Sequence, residues 1–183
     1  MASDPVPDPM PYLDPQDAAL VAQTGKLLNG RDLTKLSIAE ARKFFDDIQK
    51  PAPMNPGVTV KTFMVETSHG DVKTFLYRPK HASADDFLPF VLHLHGGGWF
   101  LGNAFDDQAL VFDLVERTGF AVVLPEYRLA PEERFPVQQE QCIEMLEFLV
   151  KHGNSKGLST DRVVVSGDSA GGKQLSAMTR GSM

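Results

Sequence analysis

Two glycine-rich pentapeptides have the residue types and spacing to do chemistry together. Gly167-Asp168-Ser169-Ala170-Gly171 follows the apolar run Val163-Val164-Val165. A serine in a sharp strand-to-helix turn needs small neighbours, and Gly167 and Gly171 supply them; the turn presents Ser169 Oγ as a nucleophile. The amide of Ala170 then lies at a helix N-terminus and can donate to a developing oxyanion. The second pentapeptide, His95-Gly96-Gly97-Gly98-Trp99, follows the apolar run Phe90–Leu94. Its glycines let the backbone approach a ligand and turn the amides of Gly96 and Gly97 inward as further oxyanion donors. Each motif alone has a plainer reading, as a glycine-rich turn with an incidental serine or as a flexible or phosphate-binding loop. No G-K-[ST] follows the glycines and no G-x-G-x-x-G spacing occurs, so nucleotide binding is poorly supported. Together, in this order, each after a strand and with one strand between them, the two are far more specific than either alone.

Neighbouring side chains have weaker claims. Asp168 reads plainly as a helix cap and Trp99 as ordinary core. His93 and His95 share a strand face and suggest a metal pair, but no third ligand lies nearby in the sequence, so neither a metal nor any other cofactor is expected. His69, His81 and His152 read as turn or surface residues. Cys142, the one cysteine, fits a buried helix face better than a nucleophile's position.

The elements that must position these residues follow from hydrophobic periodicity. Val58–Glu66 and Val72–Arg78 read as a β-hairpin around Ser68-His69-Gly70-Asp71. Buried strands are expected at Phe90–Leu94, Phe120–Leu124 and Arg162–Ser166, with helices at Ala109–Arg117 and Phe135–His152. That alternation implies an α/β fold with a mostly parallel sheet covered on both faces. Upstream, Leu20, Val21, Thr24, Leu27 and Leu28 form one helical stripe, stopped by Asn29-Gly30. A capping-box pair, Ser37 and Glu40, precedes a second stripe of Ile38, Ala41, Phe44, Phe45 and Ile48. Both stripes are expected to bury against downstream elements. Met1–Asp17 carries four Asp, five Pro and no basic residue. Its prolines argue against a helix there, so it reads as a tail or strap. The expected organisation is a tail over 1–17, helices over 18–53 and an α/β domain over 54–183.

Composition narrows the classes. The chain has 183 residues, 42% of them hydrophobic, enough to build a core. A net charge of −6 leaves no electrostatic footprint for nucleic acid or anionic lipid. No apolar run approaches the roughly 18 residues that suggest a membrane span, and the acidic start does not match a secretory signal. A soluble cytoplasmic protein acting on a small molecule is the expectation, with room for a homo-oligomer.

The two motifs give the chain a resemblance to the hormone-sensitive-lipase-like branch of the α/β-hydrolases, which includes bacterial and fungal esterases and arylacetamide deacetylases. Glu126-Tyr127-Arg128-Leu129-Ala130-Pro131-Glu132 is similar to that branch's loop after the fourth strand. Phe135-Pro136, with Glu140 and Cys142, is similar to the start of its next helix, and the N-terminal helices to part of its cap. The resemblance is strong from Val58 to Gly172 and weak over Ala18–Gln49. It implies a serine carboxylic ester hydrolase in which Ser169 attacks a small ester. The amides of Gly96, Gly97 and Ala170 would hold the oxyanion. His95 and Asp168 would support the two loops, and Trp99 would line the substrate pocket.

The triad order in this fold is Ser, then Asp or Glu, then His. Of the 14 residues after Ser169 none is Asp, Glu or His, and all five histidines precede it. Lys173-Gln174 also stands where the family usually has Asn and then a small, apolar helix, so the match is expected to end at Gly172. The sequence therefore reads as a truncated N-terminal part of the hydrolase sheet, with a hydrophobic edge strand before Ser169 and little activity of its own. The alternatives are an inert fragment or a non-catalytic ligand-binding homologue, as plant gibberellin receptors are to this family.

Overall fold

The computed structural model describes residues 12–49 and 51–180, and the side chains of 177, 179 and 180 lie outside that description. Most of the proline-rich lead, over 1–11, also lies outside it. Two compact units emerge, over Met1–Ala41 and Arg42–Met183.

In the first unit, helix α1 spans Pro15–Leu28 and ends at Asn29, which adopts a left-handed φ of 48°. Its start corrects the expectation that prolines keep the lead free of helix up to Asp17. The Asp14 side chain accepts from the Gln16 amide, and Pro15 occupies a first-turn position where no amide donor is needed. The stripe on α1 is not buried: Leu20 is 62% exposed and no residue of the helix is buried. Helix α2, Ile38–Ile48, starts in the first unit, continues into the second from Arg42, and opens with the expected capping box. The Ser37 amide donates to Glu40, and the Glu40 amide donates to Ser37 Oγ. Of its stripe only Phe44 is buried.

The second unit holds a five-stranded sheet in the order β1-β2-β4-β3-β5. Strands β1 (Val58–Val65) and β2 (Val72–Pro79) form the expected hairpin, and β2 continues antiparallel onto β4 (Ala121–Pro125). Strands β4, β3 (Leu88–Leu94) and β5 (Leu158–Gly167) run parallel. Helix α3 (Gln108–Thr118) covers one face: Val111, Phe112 and Val115 pack with Phe75, Tyr77, Val91 and Val122. Helices α4 (Val137–His152) and α5 (Ser169–Arg180) cover the other, where Cys142, Met145, Leu149 and Met178 pack with Leu76, Phe90, Leu92 and Val123. Neighbouring residues of β3 thus serve opposite cores, as the period of two requires.

At the N-terminal ends of β3 and β5 the Arg78 guanidinium donates to the carbonyls of Lys156, Gly157, Ser83 and Asp86, so this buried charge is held by peptide dipoles. Strand β5 pairs only with β3 among the described residues, and Val164 is 48% exposed on it. An uncovered strand edge of this kind is a template for pairing with another chain.

Candidate functional site

Register brings the two motifs together. In the parallel β3–β5 pair Leu94 lies opposite Gly167, so the loop from His95 and the turn from Asp168 leave the sheet side by side. The approach is close enough to exclude side chains. A Cβ on Gly171 would lie 1.9 Å from the Leu94 carbonyl oxygen, and one on Gly167 would lie 2.7 Å from the Gly171 carbonyl carbon. A Cβ on Gly96 would lie 2.1 Å from Asp168 Oδ2, which puts that carboxylate against the glycine loop.

Ser169 has a φ of 46°, a left-handed conformation that a non-glycine residue keeps only where its surroundings impose it. It is the first residue of α5, and its side chain is exposed while Ala170 is buried. The glycine loop is left-handed as well: Gly97, Gly98 and Trp99 have φ values of 111°, 62° and 67°, and of these only Trp99, with its Cβ, is strained. The Leu101 amide folds it back by donating to Gly97 O at 2.8 Å.

His95 is the buried root of that loop. Its Nδ1 lies 2.7 Å from Gly96 O and must carry the proton, since a carbonyl only accepts. The ring stacks on Tyr127 with centroids 4.3 Å apart, and the Tyr127 hydroxyl donates to His95 O. Burial holds the His95 imidazolium pKa below its usual 6.5, against the opposing pull of the Gly96 carbonyl, Asp107 and Asp168. Burial likewise pushes the Tyr127 hydroxyl up, so it stays a neutral donor.

This histidine makes stability depend on pH with a definite sign. Below pH 6.5 the unfolded chain takes up a proton that the folded chain refuses, so stability falls with falling pH through that region. Asp106 contributes the opposite slope: burial, with Asp46 and Asp107 nearby, pushes its carboxyl up to about 6. A His95→Gln variant retains Asp106, so the comparison isolates the imidazole. The urea midpoint of the unmodified chain should fall further than the variant's between pH 7.5 and 5. Parallel shifts would remove His95 as the cause.

His93 does not join His95 in a pair. It is buried on the other side, its Nδ1 3.1 Å from Ser166 Oγ and its Nε2 3.1 Å from Asp107 Oδ2. Asp107 and Asp168 do bring ligand-type atoms within 4.8 Å of it and of each other, a grouping that linear spacing hid. Both His93 nitrogens are already engaged, and the group serves here as a polar brace between β3, β5 and the start of α3.

Trp99, 38% exposed, lines a hollow of about 370 Å³ with Gly98, Ala130, Phe135, Gln138 and Gln139; Ser169 is not among the lining residues. A larger hollow, about 470 Å³, lies at the opposite end of the parallel strands against Lys61, Phe63, Arg78 and Phe87, remote from both motifs. Cys142 is buried on α4 as expected, and burial pushes its thiol pKa up, away from nucleophile character. Its Sγ donates to Oε1 of Gln174, which is itself fully buried on α5. Gln174 and Met178, four residues apart, carry the core past Gly172, while Lys173 is exposed.

The residues that sequence reasoning missed are Tyr127, seen only as part of a loop, and Arg42. The Arg42 guanidinium donates from Nε to Phe100 O at 2.8 Å, to Ala130 O at 2.8 Å, and through two nitrogens to the Glu132 carboxylate at 2.8 and 2.7 Å.

A family profile described as an alpha/beta hydrolase fold matches residues 91–181, so the match does not end at Gly172. An esterase of Gibberella moniliformis is 38% identical over 138 residues, 75% of this chain and 43% of that protein. An acetyl esterase of Salmonella paratyphi B is 33% identical over 116 residues, 63% of this chain and 35% of its own length. Among solved structures, an ester-hydrolase from the metagenome of Lake Arreo superposes with a TM-score of 0.84 at 26% identity, over 92% of this chain and 55% of that one. A thermostable esterase from Pseudomonas putida does so with a TM-score of 0.79 at 27% identity, over 97% and 53%. The chain thus spans less than half the length of these curated relatives and about half of the solved chains.

Proposed function

The chain belongs to the α/β-hydrolases, on their hormone-sensitive-lipase-like branch, and from that premise we propose that it carries the nucleophile and oxyanion half of a carboxylic ester hydrolase site. The observation behind the reading is the register of β3 on β5, which sets a serine of left-handed φ beside a strained glycine loop. In the proposed reaction Ser169 Oγ attacks the ester carbonyl and gives up its proton to a base. The tetrahedral oxyanion accepts from the amides of Gly96, Gly97 and Ala170, and the alcohol leaves with a proton. Water then releases the acid and restores the serine. His95 and Asp168 hold the two loops in place, and Trp99 walls the substrate hollow. Small neutral esters suit that hollow, and a cytoplasmic setting goes with this reading. The exposed β5 edge favours association between copies.

Among the described residues no histidine is hydrogen-bonded to Ser169 Oγ. That observation favours a second reading, a ligand-binding site or inert remnant without turnover. The two diverge on a fluorophosphonate probe. An oxyanion hole without its full triad retains roughly 10³-fold catalysis over water. Slow labelling confined to Ser169, lost on denaturation and in Ser169→Ala, is the expected result. A folded sample that resists the probe, yet is stabilised by a small ester, would establish the binding reading instead.

A further inference from the structure

We infer that Arg42 is a positioning residue for the oxyanion loop: from α2, its guanidinium binds the carbonyls of Phe100 and Ala130 and so holds the 96–102 turn in its strained shape. The inference rests on the ester-hydrolase reading for its consequence and on geometry for its substance.

A left-handed conformation is unfavourable for a non-glycine residue, whose Cβ crowds the following carbonyl oxygen, and Trp99 adopts one directly after two glycines of positive φ. Such a turn persists only where bonds from outside it outweigh the strain. Two such bonds flank Trp99. The Ala130 amide donates to Trp99 O at 2.8 Å, and Arg42 Nε donates to Phe100 O at the same distance. One Arg42 nitrogen also donates to Ala130 O, so a single planar group ties the glycine loop to the segment that braces it. Glu132 completes the arrangement with a two-pronged pair. That carboxylate is 61% exposed, so the ion pair itself adds little stability. Its effect is to fix the plane of the guanidinium. The hydrogen bonds from Arg42 hold the Glu132 carboxyl at about 2, so the pair stays ionised at any ordinary working pH. Lysine keeps the charge but has no rigid fork that spans two carbonyls and a carboxylate together.

Hydrogen exchange on the full chain tests this. The amides of Phe100 and Leu101 are bonded to Gly97 O, and that of Ala130 to Trp99 O, so their exchange reports opening of the turn. In Arg42→Ala and Arg42→Lys they should exchange at least about tenfold faster, the effect of losing one to two charged hydrogen bonds. The amides of β3 and α4 should keep their rates. Glu132→Gln, which leaves both carbonyl bonds available, should lie between these variants and the unmodified chain and remains informative if Arg42→Ala does not fold. Unchanged exchange in the turn, or acceleration shared equally with β3, overturns the inference. In a labelled protein, fluorophosphonate reaction at saturation should slow by about tenfold with the half-saturating concentration unmoved, and lysine should not rescue it. An unmodified chain that takes no label defeats the ester-hydrolase reading, while the exchange rates still decide the role of Arg42.

Discussion

Gly171→Ala lowers the melting midpoint by roughly 6–12 °C, the shift that about 3 kcal/mol produces in a chain of this size. The reason is the contact between β3 and the start of α5. The added Cβ would lie 1.9 Å from the Leu94 carbonyl oxygen and 2.9 Å from that of His95. Both atoms belong to backbone, so no side chain can swing aside, and α5 must move off the strand. Two other glycines calibrate the result. Gly25, inside α1, has no atom within 4 Å of its would-be Cβ, and alanine there should be neutral or stabilising. Gly172 meets only the Gly167 carbonyl oxygen at 3.3 Å, a contact that a small shift relieves. Differential scanning calorimetry of the three variants should give the order Gly25→Ala, Gly172→Ala, Gly171→Ala from most to least stable. A Gly171→Ala protein that melts within a degree of the unmodified chain would mean that strand and helix do not meet this closely.

The elements that hold this contact were legible because they obey simple periods. Apolar runs marked β3, β4 and β5, two β-rich runs around Ser68-His69-Gly70-Asp71 marked the β1–β2 hairpin, and Ser37 with Glu40 marked the start of α2. The two glycine motifs were legible because close backbone approach restricts residue type. Other features left no such trace. Pro15 looked like a helix breaker, and only its place directly after a capping Asp14 makes it a helix starter. The stripe on α1 had the right spacing yet stays exposed, since periodicity states which face is apolar and not what covers it. Arg42 bonds to carbonyls 58 and 88 residues away, and every residue has a carbonyl, so residue type could not flag the partners. The grouping of Asp107 and Asp168 at His93 was hidden for a related reason: sheet register, not chain spacing, brings those three together.

Gly97→Ala should reduce fluorophosphonate labelling of Ser169 by about 10²–10³-fold, the effect of removing one oxyanion donor. Two constraints act on this residue at once. Its φ of 111° lies where L side chains are rarely found, and an added Cβ would lie 2.1 Å from the Leu101 carbonyl oxygen. The loop must therefore unwind around Gly97, which displaces the amide proposed as an oxyanion donor. Gly96→Ala is the informative contrast. Its Cβ would meet Asp168 Oδ2 at 2.1 Å, but Asp168 is exposed and its carboxylate can turn outward. Gly96→Ala should accordingly keep the turn and lose the carboxylate's support, with a smaller loss of labelling. If Gly97→Ala labels at the unmodified rate while Gly96→Ala does not, the Gly97 amide is not a donor and the hole is built around Gly96 and Ala170 alone. If both fall together with a matching loss of melting temperature, the glycines serve only the fold. A fall in labelling that outruns the change in stability, larger for Gly97 than for Gly96, is the pattern that the strained loop requires.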